Sequence, residues 1–368
     1  MPRISVILKY IFVALFAMII FSCSESSNFE RTDDNSEGDI VRFTASLQNK
    51  SRTLISDLMD EFYVYAFSGK TNKGRDIKFT WTGSEWVSES IINWPKNEIS
   101  FYALSRSFSV GKEISKSVMK YNDQHIIYTV PPDSLNPDST NNLFFASRLN
   151  TTSAEQGGSV HLEFVYSLAY PYFTCVQAIE DVRVIIKEII THNLKTTGVL
   201  TYEAMDSKAS WELVDTLYGN YRQVLPTPIE LNSDLTTAVQ ISQPWIWMPQ
   251  KPIKWKTKDG SPVTTHEADS LHQSYVELKC QIIKDGSYLW GAASGENEYE
   301  SVYYPFNANF STQGYKRAIK LTFTGGYLED GTPFKPHSGS GQFTIAEWIT
   351  IDALVDPWEE MDPEDLIF

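Results

Sequence analysis

Apolar and polar residues alternate along most of the chain after residue 40. Residues 41–47 alternate strictly, and residues 77–81 do the same before a turn at 82–84. A period of two places successive side chains on opposite faces of a β-strand. Gly, Asn and Ser separate these segments, as is typical of hairpin turns. No long segment has the apolar period of an amphipathic helix, so the pattern predicts an all-β protein.

The predicted strands are short and follow one another closely, which is typical of β-sandwiches and barrels. In the first half we predict strands at 40–47, 62–67, 77–81, 86–87, 99–104 and 126–130. In the second half we predict them at 160–164, 172–176, 182–190, 198–204, 239–248, 275–284, 318–324 and 342–351. A polar stretch at 150–159 lies between the halves. We therefore expect two domains, 40–154 and 155–368, with the boundary in that stretch.

The N-terminus has a different pattern, because residues 10–21 form one apolar run. A positively charged start precedes the run, and Ser22 and Cys23 follow it, as in a secretory signal. The run is short for a membrane span, which needs roughly 20 apolar residues. A cysteine at this point is the acceptor for a diacylglyceryl group. We predict a signal peptide at 1–22, a lipid on Cys23 and a flexible acidic leader at 23–39. An uncleaved anchor helix is the alternative.

The chain is acidic, with 31 basic and 46 acidic residues and a formal net charge of −15. Nucleic-acid binding depends on Lys and Arg that neutralise phosphates, so this charge disfavours a nucleic-acid partner. With Cys23 acylated, two cysteines remain, Cys175 and Cys280. They are too few for a disulfide framework or a thiolate zinc site. One disulfide and two free thiols are both compatible with the sequence.

The sequence lacks the motifs of common catalytic sites. His266 and Glu267 begin a zinc-protease pattern, but the next histidine, His272, is six residues after His266 instead of four. The segment around Ser340 lacks the first glycine of a nucleophile elbow. No glycine-rich phosphate loop with its lysine is present. We predict no enzymatic activity, no metal and no cofactor.

The order of these segments resembles that of the fimbrillin-like proteins of Bacteroidetes. The landmarks are Cys23 and the segments 40–47, 51–53, 61–67, 82–86, 94–95, 99–103, 162–169, 247–250 and 319–323. Tyr166 stands where the family usually has a histidine. The resemblance implies a lipoprotein precursor of a pilus subunit with two tandem transthyretin-like β-sandwich domains. It implies a location on the bacterial outer membrane, at the cell surface or in a fimbria, and a role in adhesion.

The resemblance also implies assembly by strand exchange between subunits. In such pili a protease removes the first strand, and a strand of a neighbouring subunit fills the groove that is left. An unpaired sheet edge exposes backbone N–H and C=O groups that an added strand satisfies. The candidate inward-facing residues of the exchanged strand are Val41, Phe43, Ala45 and Leu47. Other pilus subunits are then the expected partners, together with a membrane held through the lipid.

The cleavage must fall between the first and second strands. Arg52 lies there, in the polar segment 48–53, and exposed polar loops are favoured sites of proteolysis. An ordinary solvated arginine is the alternative, and Arg42 within the strand is a poorer candidate. At the other end, residues 345–355 are either a donor strand or a final strand of their own domain. In the second case, the acidic residues 356–365 form a frayed tail.

Aromatic residues suggest a second function class. Trp245, Trp247 and Trp255 lie close together in the sequence, and three surface tryptophans can stack against sugars. On this hypothesis the chain is a surface lipoprotein that binds a host glycan or protein through an aromatic platform. The competing interpretation is that these side chains fill a β-sandwich core, where aromatic residues are common.

Overall fold

A computed structural model describes residues 39–47, 59–106, 118–120, 123–131, 143–202, 209–234, 236–258, 261–306, 308–311, 316–323 and 325–334. The predicted signal peptide, Cys23, Arg52 and the predicted strand at 342–351 lie outside these ranges. Within them, the chain forms 21 β-strands and two short helices. No helix in the described part of the chain is long and apolar enough to cross a membrane.

Nine strands and one helix precede residue 167. They are β1 (Arg42–Leu47), β2 (Glu61–Ser68), β3 (Thr71–Trp81), β4 (Trp86–Val87), β5 (Ile99–Leu104), β6 (Val118–Lys120), β7 (Asp123–Thr129), β8 (Phe144–Thr151), α1 (Ser153–Gln156) and β9 (Ser159–Tyr166).

Twelve strands and a second helix follow. They are β10 (Tyr170–Gln177), β11 (Arg183–Lys195), β12 (Thr197–Tyr202), β13 (Ala209–Leu213), β14 (Tyr218–Glu230), β15 (Val239–Gln240), β16 (Thr257–Lys258), β17 (Ser261–Pro262), α2 (Thr265–Ser270), β18 (Tyr275–Lys284), β19 (Ser287–Trp290), β20 (Glu300–Pro305) and β21 (Lys316–Phe323).

Seven strands form the largest sheet, sheet A, in the order β1-β9-β8-β5-β2-β3-β4. Phe43 on β1 nevertheless contacts Phe79 on β3, with ring centroids 4.9 Å apart. It also contacts Phe101 on β5 at 5.2 Å. Because β1 stands at one end of the strand order, these contacts require sheet A to curl over itself. The two layers of the curled sheet enclose an aromatic core.

Two further sheets face each other in the second half. Sheet B has the order β15-β10-β21, and sheet C has the order β14-β11-β18-β19 with β20 also paired to β18. Trp247 stacks on Trp245 at 5.2 Å and lies 5.6 Å from Tyr221 of sheet C. Tyr304 of sheet C lies 6.2 Å from Phe323 of sheet B. The contacts between the two sheets are therefore largely aromatic.

Sheet D joins strands from both halves of the sequence, in the order β13-β12-β7-β6. Polar residues 150–159, where we expected a domain boundary, connect β8 to β9, and these two strands pair within sheet A. A boundary at residue 154 would therefore divide sheet A. The division of the chain into two domains stays a prediction.

The prediction of an all-β fold is confirmed, since several β-sheets make up nearly all of the described structure. The strand predicted at 182–190 is present as the first part of β11, which begins at Arg183. The predicted strand at 239–248 is wrong in length, because only Val239 and Gln240 form a strand there. Trp247 contributes one isolated bridge to Ala169. The alternation did not predict β8, β14 or β20.

Candidate functional site

The first strand, β1, lies at the edge of sheet A. It pairs with β9 in parallel, from Arg42 opposite Ser159 to Leu47 opposite Phe164. On its other side, the Val41 N–H donates to the Ile92 carbonyl at 2.8 Å. Among the described residues, no strand pairs with β1 on that side from residue 43 onward. β1 is therefore fully paired along one side and held only at its start along the other.

The inner face of β1 is part of the core. The side chain of Phe43 is only 5% exposed, and its ring meets those of Phe62, Phe79 and Phe101 nearly edge-on. Val41 is buried, and Ala45 packs against the same core. These three candidate residues face inward, while the side chain of Leu47 lies outside the described structure.

A short capped helix, α1, directly precedes β9, the strand that pairs with β1. At the start of α1, the Glu155 backbone N–H donates to the Thr152 hydroxyl, and the Thr152 backbone N–H donates to the Glu155 carboxylate at 2.9 Å. The second bond is the largest cause of the lowered pKa of Glu155. Gly157 then ends the helix at φ +58°, a conformation that suits glycine. The next carbonyl, of Gly158, accepts a 3.4 Å bond from the Arg42 N–H.

The outer face of β1 is polar and centred on His161 of β9. Its Nδ1 lies 3.0 Å from the Thr44 hydroxyl, and its Nε2 lies 2.9 Å from the Ser46 hydroxyl. Both hydroxyls belong to β1, so one imidazole bridges two alternate residues of the edge strand. No local sequence pattern indicates a role for His161, because its partners are more than a hundred residues away.

Exposed apolar side chains lie around the start of β1. Ile40, Val87 and Ile91 are 51%, 41% and 63% exposed. Ile40 bridges to Asn93, and Val87 belongs to β4, whose residues contact β1. The two ends of sheet A therefore meet at a partly apolar surface.

The structure supports the core interpretation of the three tryptophans and not the surface platform. Trp245, Trp247 and Trp255 are all completely buried, so none offers a ring face to a sugar. The first two pack between sheets B and C, and Trp255 packs against Tyr275 in a smaller core. The hypothesis of a glycan-binding surface therefore has no support from these three residues.

Cys175, Cys280 and His272, which the sequence also singled out, lie within the described structure. Cys175 and Cys280 are free and buried, and burial raises the pKa of Cys175 to about 12. His272 stacks on Tyr218 at 4.2 Å, outside α2. The described residues contain no group of three His, Cys, Asp or Glu side chains suited to a metal.

Comparison of the sequence with protein-family models gives no match, and neither does comparison with curated proteins. Solved structures do match. A fimbrial protein from Bacteroides vulgatus has a TM-score of 0.50 and 14% identity, covering 78% of this chain and 95% of its own. A proposed cell adhesion protein from Bacteroides ovatus has a TM-score of 0.46 and 10% identity, covering 78% and 93%. A fimbrilin from Porphyromonas gingivalis has a TM-score of 0.39 and 12% identity, covering 81% and 93%.

Of these three structures, the first alone reaches a TM-score of 0.50, so the fold comparison rests on it. That protein and this chain match over most of their lengths despite low sequence identity. The predicted resemblance is confirmed at the level of fold: this chain is folded like a fimbrial protein of Bacteroidetes.

Proposed function

We propose that this chain is a structural subunit of, or an accessory protein to, a cell-surface fimbria that is assembled by strand exchange and serves adhesion. In this proposal β1 is an internal placeholder. Proteolysis between β1 and β2 releases it, and an extended segment of a neighbouring subunit takes its place beside β9. The partners are then other pilus subunits.

The proposal rests on one observation: β1 is both an edge strand and a part of the core. It is an edge strand, yet its inner face fills an aromatic core through Phe43. Its removal would leave β9 with unpaired backbone groups, which favour addition of a strand. It would also expose the rings that surround Phe43. Burying one such side chain contributes roughly 1.5–3 kcal/mol, so a replacement strand gains both hydrogen bonds and apolar burial.

Processing and location complete the proposal. The signal at 1–22 exports the chain, the lipid on Cys23 holds the precursor at the outer membrane, and cleavage near Arg52 releases the lipid together with β1. Without cleavage, Cys23 is a permanent tether, and the chain acts as an anchor or accessory protein. We also propose two tandem transthyretin-like sandwich domains, as the sequence predicts. The pairing of β8 with β9 favours a boundary after β9 over one at residue 154, although sheet D still joins strands from both sides of that point.

The test is cleavage of the full chain with Cys23→Ser, which removes the lipid site. A recognition sequence for a specific protease replaces residues 48–53. After cleavage at high protein concentration, we expect a ladder of species that resists SDS without heating. A cleaved protein that releases β1 and stays monomeric would overturn assembly by strand exchange.

Two controls accompany this test. A chain with a scrambled recognition sequence, treated with the same protease, should remain monomeric. In the native organism, the N-terminal residue of the surface form shows whether cleavage follows Arg52. If it does, Arg52→Ala should leave the longer form in place.

A further inference from the structure

The contact between His161 and β1 is a side-chain contact on the outer face of the edge strand. Thr44 is directly opposite His161 in the β1–β9 register, and Ser46 is two residues further along β1. The 3.0 Å and 2.9 Å distances place the imidazole between these two hydroxyls. Residues two apart on a strand point to the same face, so a single ring reaches both.

This arrangement depends on the chemistry of the two β1 side chains. A neutral imidazole has one donor and one acceptor, and a protonated one has two donors. A hydroxyl both donates and accepts, so two hydroxyls satisfy the ring in either state. Apolar side chains at the same positions would leave both ring nitrogens without a partner on the strand. A strand displaced by one residue would turn its apolar face toward His161.

We propose that His161 is a specificity-determining residue for the strand that pairs with β9. It selects an extended segment with hydrogen-bonding side chains at two alternate outward positions, and it sets the register of that segment. The inference rests on the proposed strand exchange and adds to it the side-chain chemistry by which the incoming strand is recognised.

The occupant we assign is residues 349–353 of a second copy of this chain. Their sequence, ITIDA, has the order of apolar and hydrogen-bonding residues found in FTASL, residues 43–47 of β1. Thr350 and Asp352 match the two hydroxyl positions, and the intervening residues are apolar. The five-residue pattern is the same in both directions, so it fits a parallel or an antiparallel strand.

The test measures binding of peptides to the full Cys23→Ser chain cleaved between β1 and β2, with β1 displaced by the added peptide. The peptides are residues 40–47, residues 347–355, and residues 347–355 with Thr350→Val and Asp352→Val. We expect the third peptide to bind about tenfold more weakly than the second, because it lacks both side-chain hydrogen bonds to His161; tenfold corresponds to about 1.4 kcal/mol.

His161→Ala should abolish the difference between the second and third peptides, and His161→Gln, which keeps a donor and an acceptor, should restore most of it. Equal binding of the two peptides to the chain with His161, or a difference that persists in His161→Ala, would overturn this inference. So would binding of peptide 40–47 without binding of peptide 347–355, while strand exchange would survive. If no peptide binds, both proposals fail.

Discussion

The ring of Phe43 on β1 stands edge-on to the ring of Phe79 on β3, with 4.9 Å between ring centroids and 76° between the planes. Four strands separate β1 from β3 in the order of sheet A. The contact therefore joins the edge strand to the opposite layer of the curled sheet. It makes β1 part of the core although the strand has a neighbouring strand on only one side in the described structure.

Replacement of Phe43 by alanine should destabilise the chain by roughly 3–5 kcal/mol, the range for removal of a buried aromatic ring. The reason is that the ring touches Phe62, Phe79 and Phe101 at once. Urea denaturation measures the change in the free energy of unfolding. Phe43→Leu leaves a smaller cavity and should lower the free energy of unfolding by less than Phe43→Ala. This variant can still be compared with the wild type if the alanine variant does not fold.

The matched control is Arg42→Ala, the next residue on the same strand, whose side chain is exposed. Its effect should stay within about 0.5 kcal/mol. Equal destabilisation by Phe43→Ala and Arg42→Ala would contradict the assignment of Phe43 to the core.

Acid should weaken the fold through Glu277 of sheet C. Burial alone would raise the pKa of Glu277, but hydrogen bonds with His192 at 2.9 Å and Ser301 at 2.5 Å outweigh burial and lower its pKa below the ordinary 4.5. The unfolded chain then takes up this proton at a higher pH than the folded chain. The stabilisation is complete above the ordinary pKa and is lost as the pH falls through the folded pKa.

Glu277→Gln should therefore lose less stability than the wild type as the pH falls from neutral to below the ordinary pKa of 4.5, measured as the urea midpoint at each pH. At neutral pH the same variant should be less stable by roughly 1–3 kcal/mol, because hydrogen bonds to a buried charge are lost. Glu267→Gln, at an exposed position of α2, should keep the wild-type midpoint at neutral pH. Identical pH profiles of wild type and Glu277→Gln would contradict the lowered pKa.

Trp247 should behave as a core residue. It is completely buried and stacks on Trp245, and its Nε1 has no hydrogen-bond partner among the described residues. Trp247→Ala should cost roughly 3–5 kcal/mol, and Trp247→Phe much less, because the substitution keeps a ring and breaks no recorded hydrogen bond. If Trp247→Ala left the free energy of unfolding nearly unchanged, as measured by thermal or urea unfolding, the burial of Trp247 would be contradicted. That result would favour the surface position that the glycan-platform hypothesis requires.

Cys175 and Cys280 should be unreactive in the folded chain. Both thiols are free and buried, and burial raises the pKa of each, so little reactive thiolate forms. In a Cys23→Ser chain, a thiol reagent should modify neither cysteine under native conditions and both after unfolding in urea. Rapid labelling of the native chain, or labelling of fewer than two thiols after unfolding, would contradict the assignment of Cys175 and Cys280 as free, buried thiols.

The local alternation of apolar and polar residues was sufficient to predict strands that have one buried and one exposed face. The alternation of residues 41–47 predicts both β1 and the inward direction of Phe43, because a period of two is a property of the strand itself. The same rule failed at residues 239–248, where the segment around Trp247 lies between two sheets and is buried throughout. Thr152 and Glu155 have the spacing of a capping box, so the start of α1 is also predictable from local sequence.

Neighbouring residues are enough to predict that this chain is all-β and that its first strand has one apolar face, because both properties follow from local alternation. The folded chain was needed to show that β1 pairs in parallel with β9, that Thr44 meets His161 across 117 residues of sequence, and that Trp245, Trp247 and Trp255 are buried. These features cannot be predicted locally, because strand pairing and burial depend on which distant segments meet. That choice minimises the free energy of the whole core rather than of any one segment.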